Sequence, residues 1–327
     1  MRMKLILAVI GGIFLIFVAS YAYLNRGLAQ AIQAADFNCL TVDDGQFLED
    51  PLPFKQLYGI GLAYAKHINE TASHFDASIG PPVFQKASES LAEADSRVAI
   101  PTASDLLQAA EAVEPGIAKQ LQEQSMALTA LLDYEVELAF VLLDDVSAEE
   151  LNRPGFIPKI GFLIANDVSA RSVAILGEAQ SNRFDYWGAS KSFAGFTPNS
   201  GRIWVPSKHT ESGLPCVSLK THVNGSLRQH ESTANLIYRP KDMLQFIQQR
   251  YPQRRLMKGD LVLTGTPGGV IFNVPRWKVR LAEILGFDRF QKLAIAQRPS
   301  SAEAFLKEGD TVRVSGEWLG EVSIILE

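Results

Sequence analysis

Through most of this chain, hydrophobic and polar positions alternate over short runs, which is the period of half-buried β-strands. Short β runs are predicted at Val98–Ile100, Glu135–Leu143, Ile160–Asn166, Ser218–Val223, Leu261–Gly265, Thr311–Ser315 and Glu321–Leu326. Asn224-Gly225 and Lys258-Gly259-Asp260 supply turn signals at strand ends. Strands at this spacing with few helices between them point to an α+β, mainly β class with antiparallel or mixed sheets, and against a doubly wound sheet. Two stretches carry a helical pattern and read as insertions: Ala103 to Leu132, rich in Ala, Leu, Gln and Glu, and Trp277 to Ala296, amphipathic and partly basic. For the second, an ordinary docked helix with its charges in water is preferred over a helix lying on anionic lipid.

The N-terminus departs from this pattern. From Leu5 to Leu24 the chain is apolar and uncharged, long enough as a helix to cross the ~30 Å hydrocarbon core of a bilayer. A single-pass membrane anchor over residues 1–24 is expected, with membrane contact through residues 5–24. A cleaved signal peptide is the alternative, since Val18-Ala19-Ser20 and Ala29-Gln30-Ala31 offer small-residue cleavage patterns. Arg2 and Lys4 precede the run and only Arg26 follows closely, so the charge bias places the following domain on the non-cytoplasmic side. Residues 25–57 read as linker and lead-in, with turn residues Asp43-Asp44-Gly45, and residues 58–327 as the main domain.

The bulk properties narrow the function classes. A chain of 327 residues, 47% hydrophobic and 20% charged, is ordinary globular material. Its net charge of −5 arises from 36 acidic and 31 basic residues spread along the length, so no basic face speaks for nucleic acid. The two cysteines, Cys39 and Cys216, lie far apart and outside metal-ligand spacing, so neither a disulfide framework nor a zinc site is expected.

Five segments carry residues with chemical potential. In Asp133-Tyr134-Glu135-Val136-Glu137, strand alternation puts Glu135 and Glu137 on one face. Adjacent carboxylates in an apolar strand repel unless a cation lies between them, and oxygen donors suit Mg²⁺, Mn²⁺ or Ca²⁺. For an isolated Glu-x-Glu, a solvent-facing acidic stripe is the commoner explanation. The strand Gly161 to Asn166 ends at Asp167, a possible third ligand, which would otherwise cap the turn or pair with Arg171. His67 and Glu70 share a helix face in Tyr64 to Glu70, the arrangement of a general base oriented by a carboxylate, or of a plain surface pair. Lys191 sits in the Gly/Ser-rich run Gly188 to Phe193, placed either to meet developing negative charge or simply solvated. Thr264-Gly265-Thr266-Pro267-Gly268-Gly269 permits close backbone approach to an anion, or forms a tight turn.

Together these segments resemble the fumarylacetoacetate hydrolase family, whose motifs Tyr-x-x-His-x-x-Glu, Asp-Tyr-Glu-x-Glu-Leu-Ala, Ala-Asn-Asp-Val-Ser-Ala-Arg, Gly-x-x-Lys-Ser-Phe and Thr-Gly-Thr-Pro-x-Gly-Val are matched in order across residues 58–327. The resemblance implies a mixed β-sandwich roll of the family's C-terminal-domain type and a homodimer. It implies Glu135, Glu137 and Asp167 as ligands of Mg²⁺ (or Mn²⁺ or Ca²⁺), and His67 with Glu70 as a water-activating dyad. It further implies Lys191 as the enolate-stabilising lysine, and Tyr64, Gly265 and Thr266 at the substrate. Ala63, Ser172 and Ala174 replace the Asn, Asp and Gln common in the family, so the polar rim of the pocket is altered. The implied activity is metal-dependent hydrolysis of a C–C bond in an acylpyruvate or other 1,3-dicarbonyl or 2-oxo acid. The alternatives are a decarboxylase, tautomerase or isomerase of 2-oxo diacids, and a non-catalytic membrane-tethered binding protein.

Overall fold

The computed structural model describes residues 32–70 and 80–327. Its centre is a seven-stranded mixed sheet in the order Gly45–Phe47, Trp204–Pro206, Ile160–Asn166, Val136–Leu142, Leu261–Leu263, Leu57–Ile60, Val83–Lys86. Only the pairing of Leu261–Leu263 with Leu57–Ile60 is parallel within it. A five-stranded sheet, in the order Ser226–Ser232, Ser218–Val223, Thr311–Gly316, Glu321–Leu326, Asp95–Val98, packs against it. The two central strands Val136–Leu142 and Ile160–Asn166 are buried at every position, which explains their nearly continuous apolar sequence. In the second sheet the strands keep one wet face, and Ser218–Val223 alternates buried with half-buried positions.

The expected long helices are interrupted. Residues 103–132 form Ala103–Val113 and Ile117–Glu123, broken at Gly116 with φ 95°, and then run extended. The second insertion forms Arg276–Ile284 and Arg289–Ala296, broken at Gly286 with φ 67°. Glycine adopts this left-handed conformation without the steric cost a side chain would bring. The two insertions meet through Arg289, whose guanidinium donates to Glu114 at 2.6 and 2.7 Å and to Gln120 at 3.0 Å.

Two expectations are corrected. Cys39 and Cys216 form a disulfide. Parallel pairing of Asn38–Leu40 with Gly213–Pro215 brings their Cα atoms to 5.0 Å across 177 residues of sequence, a proximity that sequence spacing does not encode. The single-pass membrane localisation is also withdrawn. Among the described residues no helix is long and apolar enough to cross a membrane, and the run from Leu5 to Leu24 lies outside them.

Candidate metal centre

Register builds the centre. The antiparallel pair of central strands aligns Val136 with Asn166, so Glu135, just before one strand, lies opposite Asp167, just after the other. Glu137 shares a face with Glu135 because side chains alternate along a strand. The junction is held by Asp167 N–H donating to Glu135 O at 2.9 Å and Glu135 N–H donating to Asn166 Oδ1 at 3.0 Å. Carboxylate oxygens of Glu135, Glu137 and Asp167 consequently lie within 4.8 Å of one another, and all three residues are buried.

Three cations surround them. Lys191 Nζ donates to Glu135 at 2.6 Å, to Asp167 at 2.7 Å and to Ser169 Oγ at 2.7 Å. Lys86 Nζ pairs with the other oxygen of Asp167 and donates to Phe196 O at 3.1 Å. Arg171 binds Asp133 at 2.8 Å and also pairs with Glu135. Asp167 therefore takes the two lysines as partners, and the pairing with Arg171 considered from sequence goes to Asp133 and Glu135. Lys191 is delivered by the helix Arg183–Ser190, which lies so close to the edge strand that a Cβ on Gly188 would stand 2.3 Å from Gln85 O.

The electrostatics divide the carboxylates. Burial raises Glu135, but Lys191, Arg171 and His67 outweigh it and hold its carboxyl at about 2. Glu137 is pushed well up by burial and by the charges of Asp167 and Glu135. The nearby Lys191 ammonium offsets this in part, followed by the Gly265 N–H, which donates to Oε2 at 2.7 Å. A buried cluster of three oxygen donors with one carboxyl driven toward its neutral form is short of positive charge at that point. It fits a hard divalent cation, for which six or more oxygen ligands, some from water or substrate, are usual.

The remaining expected residues gather around this cluster. His67 lies on the short helix Ala65–Glu70, and burial lowers its imidazole to about 4, so it is neutral at pH 7. Glu70 accepts from the Gly269 N–H at 2.8 Å, tying that helix to the glycine loop. Tyr64 is buried with its hydroxyl unpartnered. The Thr266 hydroxyl accepts from Gln229 Nε2 at 2.9 Å and donates to Val136 O at 3.1 Å. Gly265 has φ 96° and packs against Ile60 O and Ala63, where a side chain would collide.

Three neighbours escaped the sequence reading: Lys86, Asp133 and Gln229. Lys86 had a signal in the alternation of Val83-Phe84-Gln85-Lys86, which puts a lysine on the same face as a buried Phe. Asp133 accepts the amides of Ile271 and Phe272 as well as Arg171, fastening the end of the glycine loop to the strand.

Comparison with known proteins places this geometry. The chain is 27% identical over 221 residues to the oxaloacetate tautomerase YisK of Bacillus subtilis (strain 168), covering 67% of this chain and 61% of that protein. It is 26% identical over 246 residues to the 4-hydroxyphenylacetate degradation bifunctional isomerase/decarboxylase of Salmonella dublin, covering 75% of this chain and 48% of that protein. The fold is shared with the fumarylpyruvate hydrolase of Pseudomonas aeruginosa solved with Mn²⁺ and pyruvate, at TM-score 0.53 and 17% identity over 85% of this chain and 92% of that one. These relatives span hydrolase, tautomerase, isomerase and decarboxylase activities, so the family resemblance by itself leaves the reaction open. The family model for the fumarylacetoacetate (FAA) hydrolase C-terminal domain matches residues 56–324, and the chain belongs to that family.

Proposed function

We propose that this protein is a Mg²⁺-dependent hydrolase that cleaves the C–C bond of an acylpyruvate or a related 1,3-dicarbonyl acid, releasing a carboxylic acid and pyruvate. The observation that carries the proposal is the convergence of Glu135, Glu137 and Asp167 beside Lys191, with a neutral buried imidazole in the same cluster. Glu135, Glu137 and Asp167 would hold the cation, which when bound supplies Lewis-acid polarisation of the substrate's carboxylate and 2-oxo oxygens.

The chain's own residues account for the remaining steps. His67, kept neutral by burial, accepts a proton from water, and the hydroxide adds to the carbonyl carbon of the acyl group. Glu70 lies one helical turn away, where it completes the dyad and anchors the glycine loop. The C–C bond then breaks, its electron pair passes to the pyruvate fragment as an enolate, and His67 returns the proton to the methylene carbon. Lys191 places a fixed positive charge beside that enolate. Tyr64, Gly265 and Thr266 form the pocket wall around the acyl group, with Gln229 bracing Thr266 from behind.

The test separates hydrolysis from decarboxylation. His67→Ala removes the water-activating base but leaves the three carboxylates and Lys191. Hydrolysis of acetylpyruvate should fall by about 10²- to 10⁴-fold. Wild-type protein that decarboxylates oxaloacetate but leaves acetylpyruvate intact would defeat the proposal and favour a decarboxylase.

A further inference from the structure

The first described residues form a strap that lies over the domain without entering its core. From Ile32 to Asp50 no residue is fully buried. Asn38–Leu40 pairs in parallel with Gly213–Pro215, and Asn38 N–H donates to Ser212 O at 2.9 Å. Phe37 and Leu40 pack half-buried on the core. Upstream of the disulfide, Ala35 N–H donates to Leu236 O at 2.9 Å.

Leu236 joins this strap to the metal centre. Cys216 lies between Pro215 and Val217, and both are tied to the buried Thr233. The Thr233 hydroxyl donates to Pro215 O at 2.6 Å and accepts from Val217 N–H at 2.9 Å, while Thr233 N–H donates to Val217 O at 3.0 Å. Further along, the buried Leu236 makes an antiparallel bridge to Tyr64, and Ile237 N–H donates to Ala63 O at 3.0 Å. Ala63 and Tyr64 lead straight into Ala65–Glu70, the helix that carries His67 and Glu70, and Ile68 N–H closes its first turn on Tyr64 O at 3.0 Å. A helix of six residues does not hold itself together, so its seating depends on what its ends are fastened to.

The fastening can be undone chemically. Cys39 is exposed and Cys216 half-buried, so a small dithiol reaches the bond between them. A thiolate of the dithiol attacks one sulfur, and its second thiol resolves the mixed disulfide. Two electrons and two protons pass to Cys39 and Cys216, and the dithiol closes into its own disulfide. Once reduced, the strap relies on its hydrogen bonds and half-buried packing, and a segment held that way opens locally at small cost.

We infer that the Cys39–Cys216 disulfide is a redox switch on the helix that bears His67 and Glu70. Oxidised, it keeps Ala35 on Leu236, and Leu236 keeps Ala63 and Tyr64 in place at the start of that helix. Reduced, it lets the strap lift, and the helix spends more of its time unseated from the metal centre. The effect on catalysis rests on the proposal that His67 activates water, whereas the effect on the helix does not.

Hydrogen exchange read by mass spectrometry tests the switch directly, on full-length wild type with and without dithiothreitol and on the Cys39→Ser/Cys216→Ser double variant. On reduction, peptides covering residues 61–70 and 233–239 should exchange roughly 5- to 10-fold faster, the worth of a typical hydrogen bond. The peptide covering residues 136–142 of the central sheet should be unmoved. The double variant should match the reduced wild type and ignore dithiothreitol. Ala35→Pro, which removes the donor to Leu236 and leaves the disulfide intact, should speed exchange at 61–70 by itself. Unchanged exchange at 61–70 on reduction or in Ala35→Pro, or an equal rise at 136–142, would overturn the inference. Acetylpyruvate turnover is followed alongside and should fall on reduction by at least about 2-fold, recovering on reoxidation, because a short surface helix sits near the low end of local stabilities. Turnover equal in both redox states also overturns the inference. A fully oxidised protein without turnover strikes the hydrolase proposal instead, and exchange still decides the switch.

Discussion

Breaking the Cys39–Cys216 disulfide should cost more stability than its exposed surroundings suggest. The strand Asn38–Leu40 has no fully buried residue; it pairs in parallel with Gly213–Pro215, and Leu40 packs half-buried against the core. The bond closes a loop of 177 residues. Loop-closure entropy for that length is about 17 cal/mol/K, or about 5 kcal/mol at 25 °C. Compactness of the denatured chain reduces this figure, leaving roughly 2–5 kcal/mol. At about 2 °C per kcal/mol for a chain of this size, the melting temperature should drop by about 4–10 °C. The assay is thermal unfolding of the wild type with and without reductant beside a Cys39→Ser/Cys216→Ser double variant. Reductant should lower the wild-type transition to that of the variant and leave the variant unmoved. A thiol titration of the unreduced, denatured wild type should find no free thiol. Two free thiols, or a melting temperature indifferent to both reductant and mutation, would refute the reasoning.

Other consequences follow from the site and its supports. Glu137→Gln should keep or slightly raise the metal-free melting temperature, because burial and neighbouring carboxylates already drive Glu137 toward its neutral form; the stabilisation that Mg²⁺ gives the wild type should be lost, as seen by thermal shift. Gly265→Ala should destabilise by about 1–3 kcal/mol in denaturant unfolding, since φ is 96° and the new Cβ would lie 2.8 Å from Ile60 O. The Arg289 hydrogen bonds hold Glu114 down to about 2. A carboxylate depressed in the folded state stabilises above its unfolded value of 4.5 and loses that contribution as pH falls toward 2. Melting temperature between pH 5 and pH 2 should therefore fall more gently in Arg289→Met than in wild type.

Period-two alternation located the strands well because both sheets bury at least one face. Ser218–Val223 and Glu321–Leu326 have the bounds expected from sequence, and so does Ile160–Asn166, whose continuous apolar run reflects burial on both faces. Helices were harder. Pro240–Arg250 lies outside the sequence expectations although it carries both signals, a proline at its first turn and buried Pro240, Met243, Leu244 and Ile247 at i, i+3, i+4 and i+7. The helix Arg183–Ser190 buries only Tyr186, Gly188 and Ser190, so no apolar periodicity marks it. Within the site, the grouping of Glu135, Glu137 and Asp167 was legible through the motifs, and strand register supplies its physical basis. The choice of partners was not legible. Whether Arg171 meets Asp133 or Asp167, and whether Lys86 turns inward, depends on which strand becomes the sheet edge and how closely the Lys191 helix packs on it. The disulfide escaped for the same reason, being a product of topology and not of spacing.

The most direct measurement is pyruvate release from acetylpyruvate by the wild type and by Glu137→Gln, each with Mg²⁺ and with excess chelator. The account predicts turnover by the wild type with Mg²⁺ alone, its loss on chelation, recovery when Mg²⁺ is restored, and none from Glu137→Gln. Turnover that persists under chelation or in Glu137→Gln, or a wild type that releases no pyruvate with Mg²⁺ present, would contradict it.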